Sequence, residues 1–340
     1  MDLLFVNHRD IKHPQAGGAE QVLLEIGKRL ARHFNVTWLS EEVPGLPREE
    51  LMNQILIKRR GNRETLHLYS LMEARKHDIV LDSVAHAVPF FSHKVNRRTV
   101  ALVHHVHQDV LDQETKLSWV LKWMERRVVG YERVIAVSET TKRELIKLGF
   151  KGKVTVIYNG VDHSKFLPGK KNEDPLVLWI GRLKRYKNPL DVVEISKGSA
   201  FRFLIAGGGE LEEEVKRASG GNLTYLGRVS EGEKISLYQR AWVLLSTSSV
   251  EGFGMTVIEA NACATPAVVY DRGSLSEIVR NGVNGYVVGY KDIQGMREAI
   301  EKTVENIDAM TKGSYEESLK YDWDKTAERY RTYLEEMSGK

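Results

Sequence analysis

Glu251 and Glu259 stand eight positions apart in the run Glu251-Gly252-Phe253-Gly254-Met255-Thr256-Val257-Ile258-Glu259. An apolar run, Val243-Leu244-Leu245, feeds this segment, and a helix-forming run leaves it. The helix is expected to open near Phe253–Gly254, so its first amides point at whatever lies in front of it. One carboxylate then precedes the helix, and the other lies about a turn and a half into it. Two acceptor-only groups flanking a helix start suit a ligand rich in hydroxyls that also carries phosphate, as a nucleotide sugar does. The plainer alternative is an ordinary helix start with acids near its positive end and on solvent.

Three further groups have the right residue types for such a ligand. Arg182 and Lys187 follow the apolar run Val177–Ile180, where two cations can neutralise a diphosphate; a solvated basic loop is the alternative, since Lys184 and Arg185 are cationic too. Gly17-Gly18 opens an amphipathic helix after a long loop, Asn7 to Ala16, and its amides can meet phosphate. His104-His105-Val106-His107 ends another apolar run; in extended backbone His105 and His107 share one face and His104 takes the other. Three histidines raise the question of zinc, but no carboxylate pattern beside them completes a ligand set.

The elements that position these groups alternate along the chain. Strand-like runs at Leu3–Asn7, Val36–Leu39, Ile55–Ile57, Ile79–Leu81, Val100–His104 and Val134–Val137 are separated by amphipathic helical runs. The pattern repeats at Val177–Ile180, Phe203–Ala206, Thr224–Leu226, Val243–Ser246, Ala267–Val269 and Tyr286–Val288. This is the signature of parallel sheets covered on both faces. Pro, Gly, Lys, Asn, Glu and Asp cluster between Lys165 and Pro175, a linker composition. The expected division is residues 1–165, residues 175–315, and a terminal helical stretch over 316–340. In such sheets ligands lie outside the carboxyl ends of the strands, which is where every group above falls.

The chain resembles the family 4 retaining glycosyltransferases. Beside the E-x7-E run, Gly17-Gly18-Ala19-Glu20, Ala136-Val137-Ser138-Glu139, Asn159-Gly160-Val161-Asp162, Gly181-Arg182-Leu183 with Lys187-Asn188, and Asn284-Gly285-Tyr286 resemble that family's elements in order and spacing. The resemblance implies the GT-B fold: two Rossmann-like domains facing across a cleft, the last helix crossing back to the first domain. It implies transfer of a hexose from a UDP- or GDP-linked sugar to an acceptor hydroxyl, with domain closure assembling the site. It makes the first domain the acceptor side and the second the nucleotide-sugar side. By resemblance Arg182 and Lys187 bind the donor phosphates and Glu259 the ribose. Glu251 orients the transferred sugar, the amides of Phe253, Gly254, Met255 and Thr256 touch sugar or phosphate, and Gly17-Gly18 closes over the donor. The family places one histidine near the reacting sugar; His104 aligns best and His105 is the alternative. No cofactor and no essential metal are implied. Where the family has a glycine-rich stretch this chain has Asp271-Arg272-Gly273, so Glu277 is left out of the site. Soluble sugar or sugar-phosphate acceptors, a nucleotide-sugar epimerase, and a non-catalytic sensor are the competing readings.

Composition narrows the setting. The 340 residues suit two domains better than one. No apolar run reaches the length of a membrane span, and the opening Asp2-Leu3-Leu4-Phe5-Val6 reads as a buried strand, not a signal peptide. A lone cysteine, Cys263, excludes an internal disulfide. A cytoplasmic protein is expected, with no nucleic-acid partner. Residues 1–170 carry 27 Lys/Arg against 20 Asp/Glu, the remainder 23 against 26, so the first half is the more basic and hints at an anionic acceptor or surface. Leu117 to Val129 is amphipathic, with Trp119, Trp123 and flanking cations. Its tryptophans are expected to bury in the core; contact with an anionic membrane is the alternative, and would go with a lipid-linked glycan acceptor.

Overall fold

A computed structural model of the chain describes residues 1–85, 88–108, 111–114 and 117–339, with only the backbone at 113 and 114. It divides into two compact units, Met1–Asn159 with Trp323–Lys340, and Gly160–Asp322.

Unit 1 begins with β1 (Asp2–Val6), α1 (Gly18–Leu30), β2 (Asn35–Ser40), β3 (Glu49–Met52), β4 (Ile55–Arg59), α2 (Leu66–Ala74) and β5 (Ile79–Val84). It continues with β6 (Thr99–Val103), α3 (Leu111–Glu114), α4 (Ser118–Glu125), β7 (Arg133–Ala136), α5 (Glu139–Lys147) and β8 (Lys153–Val156). Unit 2 holds β9 (Leu176–Ile180), α6 (Pro189–Ser196), β10 (Arg202–Ala206), α7 (Glu212–Ala218), β11 (Leu223–Gly227), α8 (Glu231–Arg240) and β12 (Val243–Ser246). After these come α9 (Met255–Ala262), β13 (Ala267–Tyr270), α10 (Leu275–Ile278), β14 (Gly285–Val288), α11 (Ile293–Glu305) and α12 (Ile307–Ser318); α13 (Trp323–Ser338) then returns the chain to unit 1.

Each unit is a sheet between helical layers, parallel throughout except where the edge strand β3 joins β4 in unit 1. The eight-stranded sheet of unit 1 runs β3-β4-β2-β1-β5-β6-β7-β8, and the six-stranded sheet of unit 2 runs β11-β10-β9-β12-β13-β14. Continuous apolar strands make this possible: Leu3, Leu4, Phe5 and Val6 are fully buried, as are Val177, Leu178 and Val243 to within a few per cent. In both sheets the strand order reverses beside the first strand of the unit, at β1 between β2 and β5 and at β9 between β10 and β12. Loops leaving those neighbours part in opposite directions there and open a crevice at their carboxyl ends.

Two edge strands, β3 and β8, were absent from the sequence reading. β3 carries Glu49 and Glu50 and pairs antiparallel with β4, register Glu49 to Lys58 and Met52 to Ile55. Its pairing comes from its neighbour, not from its own hydrophobicity. The stretch expected to link the units instead belongs to unit 2. Lys171 Nζ bonds Thr265 Oγ1, Asn172 N–H donates to Arg240 O at 3.0 Å, and Trp242 Nε1 donates to Asn172 O at 2.8 Å. The chain therefore changes unit at Asn159–Gly160, and again at Asp322–Trp323, so most of the expected 316–340 helix is α13 alone. α13 is tied to unit 1 by Thr326 Oγ1 donating to Tyr158 O (2.9 Å), Arg329 to Val156 O (2.7 Å) and Arg29 to Asp324 (2.5 Å).

The tryptophan-bearing segment corrects the sequence reading most. Trp119 is 72% exposed and Trp123 56%. The side that α4 turns inward is set by Glu125, which is buried and accepts from His107 N–H (2.6 Å), His107 Nδ1 (2.9 Å) and Gln108 Nε2 (2.7 Å). A buried carboxylate with these donors outweighs indole burial, because leaving it unpaired would cost several kcal/mol, on the order of 3–5. Among the described residues no helix is long and apolar enough to cross a membrane.

Candidate functional site

In unit 2 the chemistry-bearing residues collect on the two loops that leave β9 and β12, either side of the strand-order reversal. Those loops are stitched together. Thr247 Oγ1 donates to Lys187 O at 2.7 Å and accepts from Trp179 Nε1 at 3.0 Å. Asn188 Nδ2 donates to Thr247 O (2.9 Å), and Ser249 N–H to Tyr186 O (2.7 Å). The stitching brings Lys187 Nζ into an ion pair with the Glu251 carboxylate, both side chains about one-fifth exposed. The pairing spans 64 residues, so two separate sequence signals converge on one contact. Glu251 is braced from a third loop: Ser274 N–H and Oγ both donate to its carbonyl, at 3.0 and 3.1 Å. Gly273 lies so close that a Cβ there would sit 2.3 Å from Glu251 O. Asp271-Arg272-Gly273 thus contributes its glycine as a backbone support for Glu251.

α9 starts where expected. Gly254 caps it at φ 90°, a left-handed conformation that suits glycine, and Phe253 is buried with its ring edge-on to Tyr321. Val257 N–H already bonds Gly254 O (2.9 Å), which leaves the Met255 and Thr256 amides unclaimed among the described residues. Glu259 lies further along α9, and its carboxylate faces α8. Lys234 Nζ reaches both oxygens, at 3.1 and 3.0 Å, and Tyr238 Oη donates to one at 3.0 Å. Arg182, by contrast, is exposed and has no side-chain partner among the described residues.

The sequence reading missed Lys234, Tyr238, Thr247 and the loop Gly207-Gly208-Gly209-Glu210. That loop backs the Arg182 turn: Gly181 N–H donates to Ala206 O (3.1 Å) and Leu183 N–H to Gly208 O (3.0 Å), while Glu210 accepts from Arg185 N–H (3.0 Å) and Lys184 (3.3 Å). Its three glycines after an apolar strand were a visible signal. Lys234 and Tyr238 were visible as an i, i+4 pair on one helix face, without a cue to their partner.

In unit 1, Gly17 and Gly18 open α1 as expected, but Glu20 closes part of that opening. Its carboxylate accepts Gly17 N–H at 2.7 Å and Asn7 Nδ2 at 2.8 Å. A helix start anticipated as wholly free for phosphate therefore has one amide taken by a carboxylate of its own, the Gly-x-x-Glu spacing of a capping box. His104 is buried, with Nε2 3.1 Å from Ser83 Oγ; burial, reinforced by His107, pushes its pKa down to about 4. The imidazole is neutral near pH 7. His105 is half-buried and its ring lies 3.9 Å from that of His107. Glu125 holds His107, and among the described residues no three His, Cys, Asp or Glu side chains are grouped to hold a metal ion.

A cavity of about 590 Å³ opens in unit 1 between Glu42–Leu46 and Gly61–Thr65. Arg59 lines it but is saturated, donating to Asp10 (2.7 and 3.2 Å), Glu50 (3.2 Å) and Pro47 O (2.8 Å), so the pocket has no free charge from that side chain.

Comparison with known proteins follows this division. A model described as Glycosyltransferase Family 4 matches residues 16–165, and one described as Glycosyl transferases group 1 matches residues 161–317. An uncharacterized glycosyltransferase (MJ1178) of Methanocaldococcus jannaschii is 28% identical over 61% of this chain and 60% of its own. The D-inositol 3-phosphate glycosyltransferase of Mycolicibacterium smegmatis is 26% identical over 60% of this chain and 53% of its own. The chain thus spans little more than half the length of these curated relatives. Among solved structures, sucrose-phosphate synthase from Thermosynechococcus elongatus superposes with a TM-score of 0.83 at 18% identity, over 99% of this chain and 98% of that one. Anabaena HepE in complex with UDP-glucose superposes at 0.79 with 18% identity, over 99% and 100%.

Proposed function

The chain belongs to the family 4 glycosyltransferases and has the GT-B fold, and from that premise we propose that it moves a hexose from a nucleoside diphosphate sugar to an acceptor hydroxyl with retention at the anomeric carbon. The observation that carries this reading is the joined pair of loops in unit 2, where Lys187 and Glu251 meet and Arg182 is exposed with no side-chain partner among the described residues. UDP-glucose bound to the structurally similar HepE supports the donor class.

The steps assign each group a task. The acceptor oxygen attacks the anomeric carbon on the face from which the diphosphate leaves. The electron pair of the breaking bond goes to the phosphate oxygen, which takes the acceptor's proton. Arg182 and Lys187 stabilise the charge that grows there, together with the Met255 and Thr256 amides and those of Phe253 and Gly254. Glu251 then exchanges part of its bond to Lys187 for hexose hydroxyls. Glu259 accepts from the ribose, beside Lys234 and Tyr238. In unit 1, Gly17 and Gly18 position phosphate or acceptor, and neutral His104, with His105 as the alternative, acts as a hydrogen-bond partner near the reacting sugar. Cationic side chains and helix amides take the place of a metal.

The acceptor reading is a lipid-linked or other glycoconjugate at the cytoplasmic face of a membrane, supported by the exposed Trp119 and Trp123. A soluble sugar phosphate is the second reading, supported by the relatives named for D-inositol 3-phosphate. Thermal shift and calorimetry against UDP-, GDP- and ADP-sugars, with and without a chelator, test the donor half. Stabilisation by one nucleotide series, unchanged by chelator, is the expected result; no stabilisation by any of them would refute the reading.

A further inference from the structure

We propose that the face formed by α4 and the turn after it is a docking surface for an anionic lipid bilayer. The inference deepens the reading above, and rests on it for the purpose of docking, because a lipid-linked acceptor has to be met at its membrane.

Three observations carry it. Trp119 and Trp123 stand four residues apart on one helical face, 72% and 56% exposed, while the opposite side of the helix is pinned inward by buried Glu125. Indole is both apolar and a hydrogen-bond donor, which suits the headgroup region of a bilayer better than water or a dry core. Two large neighbouring exposed aromatics, with exposed Leu117 and Val129 at the two ends of the segment, also mark a contact site in general.

The second observation is charge. Arg126 and Arg127 follow on the same stripe, in the 3-10 turn Arg126–Gly130, and both are exposed with no carboxylate partner among the described residues. The Arg127 guanidinium lies 4.0 Å from the Trp123 ring centroid, so cation and aromatic present themselves together. The turn packs against the neighbouring turn Ser92–Lys94: the His93 ring lies 4.0 Å from that of Tyr131, and a Cβ at Gly130 would sit 3.4 Å from His93 Nε2. That contact adds exposed Lys94 to the same region. Among the described residues the acidic groups nearby are engaged: Asp112 pairs with Lys122 at 2.6 Å, Glu132 with Arg133 at 3.5 Å.

The third observation concerns the occupant. A protein partner or a second copy would need a complementary acidic, apolar patch, whereas an anionic bilayer supplies negative charge and an apolar layer at once. Exposed Trp119 and Trp123, with Arg127 over the Trp123 ring and exposed Arg126 and Lys94 on the adjoining turns, offer aromatic and cationic groups to such a surface.

The test is flotation of the full chain with phosphatidylcholine vesicles and with vesicles containing phosphatidylglycerol, at low and high salt. Native protein should float with the anionic vesicles only, and release as salt rises. Arg126→Gln with Arg127→Gln should weaken binding about thirtyfold, at about 1 kcal/mol per cation near an anionic surface. Trp119→Ser with Trp123→Ser should abolish quenching by brominated lipid while the other tryptophans keep their emission. No binding to anionic vesicles at low salt overturns the proposal, and so does binding that both double variants retain. Concentration-dependent self-association lost in the tryptophan variant also overturns it, in favour of a second copy. Thermal shift with nucleotide sugars, run on the same variants, keeps the two questions apart: an absent shift in the native chain refutes the transferase reading, whereas vesicle binding reports on this face alone.

Discussion

The carboxyl ends of the two sheets carry ionisable groups in opposite states. In unit 2 they are ion-paired or exposed: Lys187 with Glu251, Lys234 and Tyr238 with Glu259, and Arg182 exposed with no side-chain partner among the described residues. In unit 1 they are either locked or neutral. Arg59 is buried and saturated by Asp10 and Glu50, and Glu20 is spent on its own helix start. His8 is pushed down to about 3 and His104 to about 4, each chiefly by burial. Both ion pairs keep an edge open to solvent, about one-fifth for Lys187 and Glu251, so an incoming diphosphate and its hydroxyls can exchange partners with them. Buried neutral imidazoles can only give or take a hydrogen bond. The difference fits a half that must grip and release charge and a half that must orient an uncharged nucleophile.

The largest test of that contrast is the cations of unit 2. Arg182→Ala or Lys187→Ala should lower turnover on the order of 10²–10³-fold, because the stabilised charge appears fully only as the bond to phosphate breaks. Steady-state kinetics with the preferred donor, and donor hydrolysis without acceptor, read this directly. Loss under threefold for both would mean that charge on these loops is ordinary solvation.

The next effect is on stability and belongs to unit 1. An unfolded histidine takes a proton below its ordinary value of 6.5, while native His104 stays neutral until about 4. Over that window the unfolded chain binds more protons, so stability falls as pH drops from 6.5 towards 4, by about 2 kcal/mol between 6.5 and 5 for this residue alone. Asp82 works the other way. It is fully buried, and burial pushes its pKa up to about 6 despite bonds from Tyr131 Oη (2.6 Å) and Ser92, so protonation between 6 and 3.8 favours the native state. Four histidines are held low, His8, His67, His93 and His104, each chiefly by burial, against this one acid. The net expectation is a chain that loses stability on mild acidification. Urea unfolding at pH 7 and pH 5.5 should show a smaller drop for His104→Gln than for the native chain; an equal drop would place the titration elsewhere.

How far the sequence carried this division follows from where each constraint lies. β9 and β12 were legible because their side chains are apolar on both faces, and α9 because Gly254 and the periodic run after it are local. β3 was not, since Glu49 and Glu50 become strand only beside β4. The Lys187–Glu251 contact was legible as two motifs but not as one pair. Its geometry comes from Thr247 and Asn188 holding loops that are about 60 residues apart in sequence. The outward face of α4 was read inversely because Glu125 finds His107, eighteen residues earlier, and helical periodicity is blind to such a partner. Local signals place elements; buried polar pairs decide which way they turn.

The smallest effect is also the most specific to the contrast, and it concerns Glu259. A carboxylate has about four acceptor positions. Lys234 and Tyr238 take up to three of them when Lys234 bridges both oxygens, and two when it settles on one. In the second state, with Lys234 on Oε1 and Tyr238 on Oε2, each oxygen keeps one position, which matches the two hydroxyls of a ribose. Glu259→Ala should therefore raise the donor KM about tenfold, the size of a hydrogen bond to a charged group, and lower kcat less than threefold. Omitting a ribose hydroxyl from the donor should cost the native enzyme a similar factor and the Glu259→Ala variant little. Equal losses in both would place the ribose elsewhere in unit 2 and make Glu259 a partner of Lys234 only.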